Sequence, residues 1–232
     1  MILKIFKTMK YYKIKIKRRF EKEDKVLGHA NGEFVPNGAF YFDRIGDGEV
    51  IEDTPIFDYF HLQSFGEEKD WEWRLQDVHG FIYVGSIITG WYISDKLKPL
   101  LEKFKIAPKY HFYETRLLYK GEKLKYWIFQ FPINPLQNII FGQSHFYYLK
   151  NDINTVIKIE NESEFIKIRR KLMLEEDIEL ECSKVCFSRE YDIIYNLPNG
   201  DTLCSEALKQ AIEQNYIIGF EFSELDYEVV VG

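Results

Sequence analysis

Five histidines, three cysteines and a dense supply of carboxylates are the side chains of this 232-residue chain that could do chemistry. His29, His61, His79, His111 and His145 never fall at the His-x3-His or His-Glu-x2-His spacing that puts two imidazoles on one helix face for zinc. Cys182, Cys186 and Cys204 form no Cys-x2-Cys pair and are too few for a disulfide framework, so they read as small buried thiols. Ser86 follows Gly85 after a strand-like run, but the glycine that a nucleophile elbow needs two places later is missing. Gly46-Asp47-Gly48 lacks the third glycine, the apolar strand before it and the helix after it that a dinucleotide fingerprint requires. His61, His111 and His145 lie in aromatic stretches, where an imidazole packs one ring face and bonds through one nitrogen. The expectation is a protein without catalytic residues, metal or cofactor.

Binding is the chemistry that remains. Trp71 and Trp73 are two apart and share a face if their segment is extended. Two acidic stretches precede them in sequence, with Asp47, Glu49, Glu52 and Asp53 in one and Glu67, Glu68 and Asp70 in the other. Aromatic anchors beside carboxylates suit a basic protein partner. The net charge of −6 is unevenly spread: +7 over residues 1–25, −8 over 26–100, +5 over 101–159 and −10 over 160–232. That balance favours a basic partner over nucleic acid. The Lys/Arg run at 17–25 is interrupted by Glu21, Glu23 and Asp24, which argues against a phosphate-binding arm. No continuous apolar stretch marks a signal peptide or a membrane span, and the chain reads as cytoplasmic.

The elements that must position these residues are mostly strands. Aromatics make up 17% of the chain, an excess that favours pleated surfaces. Residues 9–17 alternate lysine with apolar side chains, as a half-buried strand does, with lysine on one side as at a sheet edge; residues 1–8 read as an extension before Met9, or as the product of an upstream start codon. Glycines and Pro36 over 28–50 read as loops around short strands. Strands are expected at 56–63, 109–119, 124–131, 138–149, 178–187, 190–196, 218–223 and 226–231, with a hairpin turn at Lys120 to Lys123. An amphipathic helix is expected at 162–174.

One segment occurs twice. Ser94, Leu97, Lys98, Leu101, Glu102 and Ile106 fall on Ser205, Leu208, Lys209, Ile212, Glu213 and Ile217, and an aromatic strand follows each copy. The serines read as helix N-caps, and Asp95 and Glu206 then place negative charge at the positive end of the helix dipole. Pro99 should bend or delay the first helix. The expected fold is α+β, a mostly antiparallel sheet with a few helices and a repeated strand–cap–helix–strand unit. It forms one domain over 1–232, with two similar halves at about 9–130 and 131–232.

The Ser94-Asp-Lys-Leu-Lys and Ser205-Glu-Ala-Leu-Lys helices, with Ile217-Ile-Gly-Phe-Glu-Phe and Ile139-Ile-Phe-Gly-Gln-Ser-His-Phe, resemble the immunity proteins of bacterial polymorphic toxin systems. The resemblance is to immunity family 43 and the related family 11, and it covers roughly residues 80–230. It implies non-catalytic binding and neutralisation of a cognate toxin domain, and it carries over no binding residues. If the toxin is a basic nuclease, the carboxylates would imitate phosphate. The competing expectations are a carbohydrate-binding or scaffold module using exposed aromatics, and a hydrolase with an unrecognised site.

Overall fold

The computed structural model describes residues 7–17, 26–64, 73–85, 90–106, 109–131, 135–196 and 198–232. In chain order the first elements are β1 (Lys7–Thr8), β2 (Tyr11–Ile16), β3 (Val26–Leu27), β4 (His29–Asn31), α1 (Gly38–Gly46), β5 (Phe57–Gln63), β6 (Trp73–Arg74), β7 (Val78–His79) and β8 (Gly90–Ser94). There follow α2 (Lys98–Leu101), β9 (His111–Tyr119), β10 (Glu122–Gln130), a 3-10 turn at Phe141–Gln143, β11 (His145–Lys150), β12 (Ile153–Ile157) and α3 (Glu162–Glu175). The last are β13 (Glu181–Phe187), β14 (Ile193–Asn196), β15 (Asp201–Ser205), α4 (Glu206–Gln214), β16 (Phe220–Ser223) and β17 (Glu228–Val231). The fold is α+β, with mostly antiparallel strands and a few helices. Among the described residues no helix is long and apolar enough to cross a membrane.

Two compact units divide the chain. One holds residues 15–133 and 210–221; the other holds 1–14, 134–209 and 222–232. The chain passes from one to the other four times, within β2, α4 and β16 and between β10 and β11.

The unit of residues 15–133 and 210–221 is built on a sheet of order β4-β5-β9-β10-β8-β7. Its centre is the β9–β10 hairpin, in register from Tyr119↔Glu122 to His111↔Gln130. Lys120 and Gly121 both have positive φ, 51° and 84°, the backbone a two-residue hairpin turn needs to match the strand twist. Rings fill the core: Phe42 of α1 meets Phe57 at 5.1 Å and Phe60 at 5.6 Å, and Tyr92 stacks on Tyr126 at 5.2 Å. The helix α1 stands where the glycine-rich sequence reads as loops. Phe42 and Ile45 bury one face, a drive that outweighs the poor helix propensity of the segment.

The unit of residues 1–14, 134–209 and 222–232 holds a sheet of order β1-β17-β13-β11-β12 and a second of order β14-β15-β2-β16. The pair β13–β17 is parallel, and the β11–β12 and β11–β13 pairs are antiparallel. Phe165 of α3 packs on Phe141 and Phe146, and the Asn161 side chain caps the helix by accepting from the Glu164 amide at 3.0 Å. The half-buried strand expected at 9–17 forms as β2, but its lysines do not mark a sheet edge, because β2 lies between β15 and β16. Interior placement is possible because Lys13 is neutralised by Asp201 and Asp226, each 3.0 Å from its Nζ. Lys7 and Thr8, read as part of an extension, pair with Val231 and Val230.

A set of contacts recurs in the two units. Ser94 Oγ donates to Asp77 Oδ1 at 2.7 Å and accepts from the Leu97 amide; Ser205 Oγ donates to Asp192 Oδ1 at 2.6 Å and accepts from the Leu208 amide. Tyr126 OH donates to the carbonyl of Gln76, just before Asp77, and Tyr11 OH to that of Tyr191, just before Asp192. Lys98 sits over Trp127 and Phe112, and Lys209 over Tyr12 and Phe222. Asp95 accepts from the Trp127 indole and lies 3.7 Å from Lys125; Glu206 accepts from the Tyr12 phenol and lies 3.3 Å from Lys10. Strand β10 supplies Tyr126 and Trp127 in one unit, with Phe112 from β9, and β2 supplies Tyr11 and Tyr12 in the other, with Phe222 from β16.

Candidate binding surface

The acidic stretch 47–53 begins where α1 ends. Gly48, at φ 87°, closes the helix: its amide bonds the Ile45 carbonyl and the Glu49 amide bonds that of Arg44, both at 3.0 Å. This is the Schellman arrangement, which needs a left-handed residue just past the cap, and it explains Gly46-Asp47-Gly48 without a phosphate. The chain after it is fixed from below by two buried polar side chains. Gln130 Nε2 donates to the carbonyls of Ile45 at 2.8 Å and Glu49 at 3.2 Å, and Gln130 Oε1 accepts from Tyr113 OH at 3.0 Å. Tyr113 OH in turn accepts from the Ile51 amide at 3.2 Å. Ile51 packs against the core.

Asp47, Glu49, Val50, Glu52, Asp53 and Ile56 are exposed above this support. Glu49 is already engaged, bridged in two bonds to Arg44, whose guanidinium also lies over the exposed Phe40 ring. That pair holds the Glu49 carboxyl below the usual carboxylate range. Asp47 and Asp53 have no ion pair among the described residues. Glu52 lies near His111, whose pKa is lowered by burial, with Glu52 opposing the shift. The surface therefore offers the carboxylates of Asp47, Glu52 and Asp53 next to the apolar side chains of Val50 and Ile56.

Trp73 is half-buried. Its strand β6 pairs in parallel with β3, its carbonyl accepts from Tyr119 OH at 2.8 Å, and its ring packs against the core. It borders a shallow pocket of about 350 Å³ with His61, Leu118, Tyr119 and Lys120. Glu67, Glu68, Asp70 and Trp71 lie outside the described residues.

The histidines have local roles. His79 is fully buried, with Nδ1 2.8 Å from the Gly28 carbonyl and Nε2 accepting from the Gln76 amide at 3.1 Å. Burial pushes its pKa down to about 4, so the ring is neutral. His61 stands 3.3 Å from Glu33 and packs on Phe34; His111 packs on Tyr113. Among the described residues no group of three or more His, Cys, Asp or Glu could hold a metal ion.

The Gln130–Tyr113 support and the Arg44–Glu49 pair escape sequence reasoning. A usable signal exists for the first: Gln130 is an amide amid the apolar run Trp127-Ile-Phe-Gln-Phe131, and a buried amide must find partners. No protein-family model matches the sequence, and no curated protein matches it.

Proposed function

We propose that this is an immunity protein of a bacterial polymorphic toxin system, which binds a cognate toxin domain in the cytoplasm and neutralises it without catalysis. The observation that carries the reading is the acidic loop at 47–56. It presents three unbridged carboxylates and two apolar side chains, Val50 and Ile56, on a backbone fixed by buried hydrogen bonds. Preorganisation of this kind reduces the ordering cost of association. The resemblance of the Ser-Glu-Ala-Leu-Lys helix and the Gly-Phe strand to immunity proteins points the same way. Glu67, Glu68, Asp70, Trp71 and Trp73 complete the proposed contact set, with Glu49 steadied by Arg44. A basic nuclease domain suits the charge, since Asp47, Glu52 and Asp53 would occupy phosphate-like positions on it.

The experiment is co-expression in a naive bacterium of the toxin domain encoded beside this protein, with and without it, followed by pull-down. Rescue with a stable complex is expected. Rescue without a complex would transfer the reading to an enzyme that reverses the damage, and neither rescue nor binding would remove it. With a complex in hand, Asp47→Asn, Glu52→Gln and Asp53→Asn together should slow association about tenfold at low salt and flatten its salt dependence. An unchanged on-rate would take this loop out of the interface.

A further inference from the structure

Among the described residues strand β12 ends its sheet, bonded to β11 on one side only. Its sequence, Ile-Asn-Thr-Val-Ile, has no charge, proline or bulge, the devices that keep a sheet edge from pairing with another chain. Ile153 is 66% exposed and Val156 79%. The β11–β12 hairpin closes through Asn151 and Asp152, both at positive φ, with Lys150 opposite Ile153. A two-residue turn of this kind makes its flanking residues a pair that exchanges both hydrogen bonds. Alternation along the strand then turns the N–H and C=O groups of Asn154 and Val156 away from β11.

We propose that β12 is a homodimerisation edge, which pairs antiparallel with β12 of a second copy about a twofold axis at Thr155. In this register Asn154 faces Val156 of the second copy, and the reverse, so the outward groups of both strands bond each other. Ile153 faces Ile157, and all five residues of each strand are paired. Asp152, which has no ion pair among the described residues, falls opposite Lys158, an exposed residue bridged to Glu160 of its own chain, which would gain Asp152 as a second carboxylate. A slip of two residues either way leaves three residues paired; in one direction it sets Asp152 against Glu160, in the other it takes Lys158 off the end of the strand. Length, hydrogen-bond direction and charge therefore select one register. Symmetry doubles each contact, as a self-complementary patch requires. The edge is independent of the toxin reading and is tested on the protein alone.

The test is sedimentation of the full chain over a range of concentrations. A reversible monomer–dimer equilibrium is expected. Val156→Pro removes an N–H that points away from β11, so the hairpin is kept while the edge is blocked, and the variant should stay monomeric. Asp152→Lys and Lys158→Asp should each weaken dimerisation about tenfold, by turning two attractive pairs into repulsive ones, and the double variant should restore it. Circular dichroism checks the fold of each variant; if Val156→Pro misfolds, the charge swap decides. A wild-type protein that is monomeric throughout, or a dimer indifferent to these changes, overturns the proposal.

Discussion

At the scale of the residue, the buried polar groups do most to fix this structure. Gln130 and Tyr113 hold the loop after α1, and Asn31 bonds Gln63 at 2.6 Å in the same unit. His79 carries a pH dependence. Its pKa is about 4 in the folded protein, below the ordinary 6.5 of an unfolded chain. The unfolded state therefore binds the extra proton between these values. The contribution is fully present above pH 6.5 and is lost as the pH falls towards 4, for a total of about 3 kcal/mol. The urea midpoint should drop over this range, and His79→Gln should flatten the part between pH 6.5 and 5, where most carboxylates are still ionised. An unaltered slope in the variant would mean that other groups carry the acid sensitivity. The chemistry of this histidine was not legible in the sequence, because His79 sits beside Gly80 in a segment without helical or alternating pattern, and its burial comes from residues around Gly28 and Gln76.

At the scale of the element, the serine caps show how a local signal and a distant partner combine. Ser94 and Ser205 read as helix caps from their place before an apolar stripe. Ser205 stands directly before α4 and its hydroxyl accepts from the Leu208 amide. In contrast, α2 begins only at Lys98 with Leu97 at its N-cap position, so that Ser94, accepting from the Leu97 amide, holds the turn ahead of the helix instead of capping it. Their carboxylate partners, Asp77 and Asp192, lie 17 and 13 residues upstream and were not foreseen. Asp95, expected to serve the helix dipole, instead takes the Trp127 indole at 2.9 Å. Ser94→Ala and Ser205→Ala should each lower stability by about 1–2 kcal/mol in urea unfolding. Loss of less than a few tenths would mean the hydroxyls do not hold these turns. Pro99 stands in the first turn of α2, whose start is delayed to Lys98, and α2 has four residues where α4, without proline, has nine. The β9–β10 hairpin, α3 and α4 were legible, since alternation, amphipathic spacing and turn chemistry agree there. Helix α1 and strand β12 were not: the first carries glycine signals, and the second follows a turn of Asn and Asp without glycine or proline.

For the whole molecule, the path of the chain sets a dependence of its far end on its beginning. Strand β2 pairs with β15 through Tyr11↔Ser205, Tyr12↔Cys204 and Lys13↔Leu203, and Tyr11 and Ile14 are buried. Removing residues 1–17 should therefore unfold the unit of residues 134–209, which loses the Tyr11 bond to Tyr191 and the Lys13 bridge to Asp201. Hydrogen exchange in β14 and β15 is the measurement: protection should vanish in the truncated protein and return when a peptide of residues 7–17 is added. Retained protection would show that β2 is dispensable. The sequence by itself determined what near neighbours control, namely the alternation of the strands, the capped helices and the hairpin at Lys120-Gly121. Only the tertiary structure decided which strand lies beside which, that Lys13 faces Asp201 and Asp226, and that Glu49 is taken by Arg44 while Asp47 and Asp53 are left to solvent. Periodicity reports that a face is buried; it does not name the partner. Partners more than a hundred residues apart are chosen by the fit of rings and the neutralisation of charge, which act only once the chain is folded.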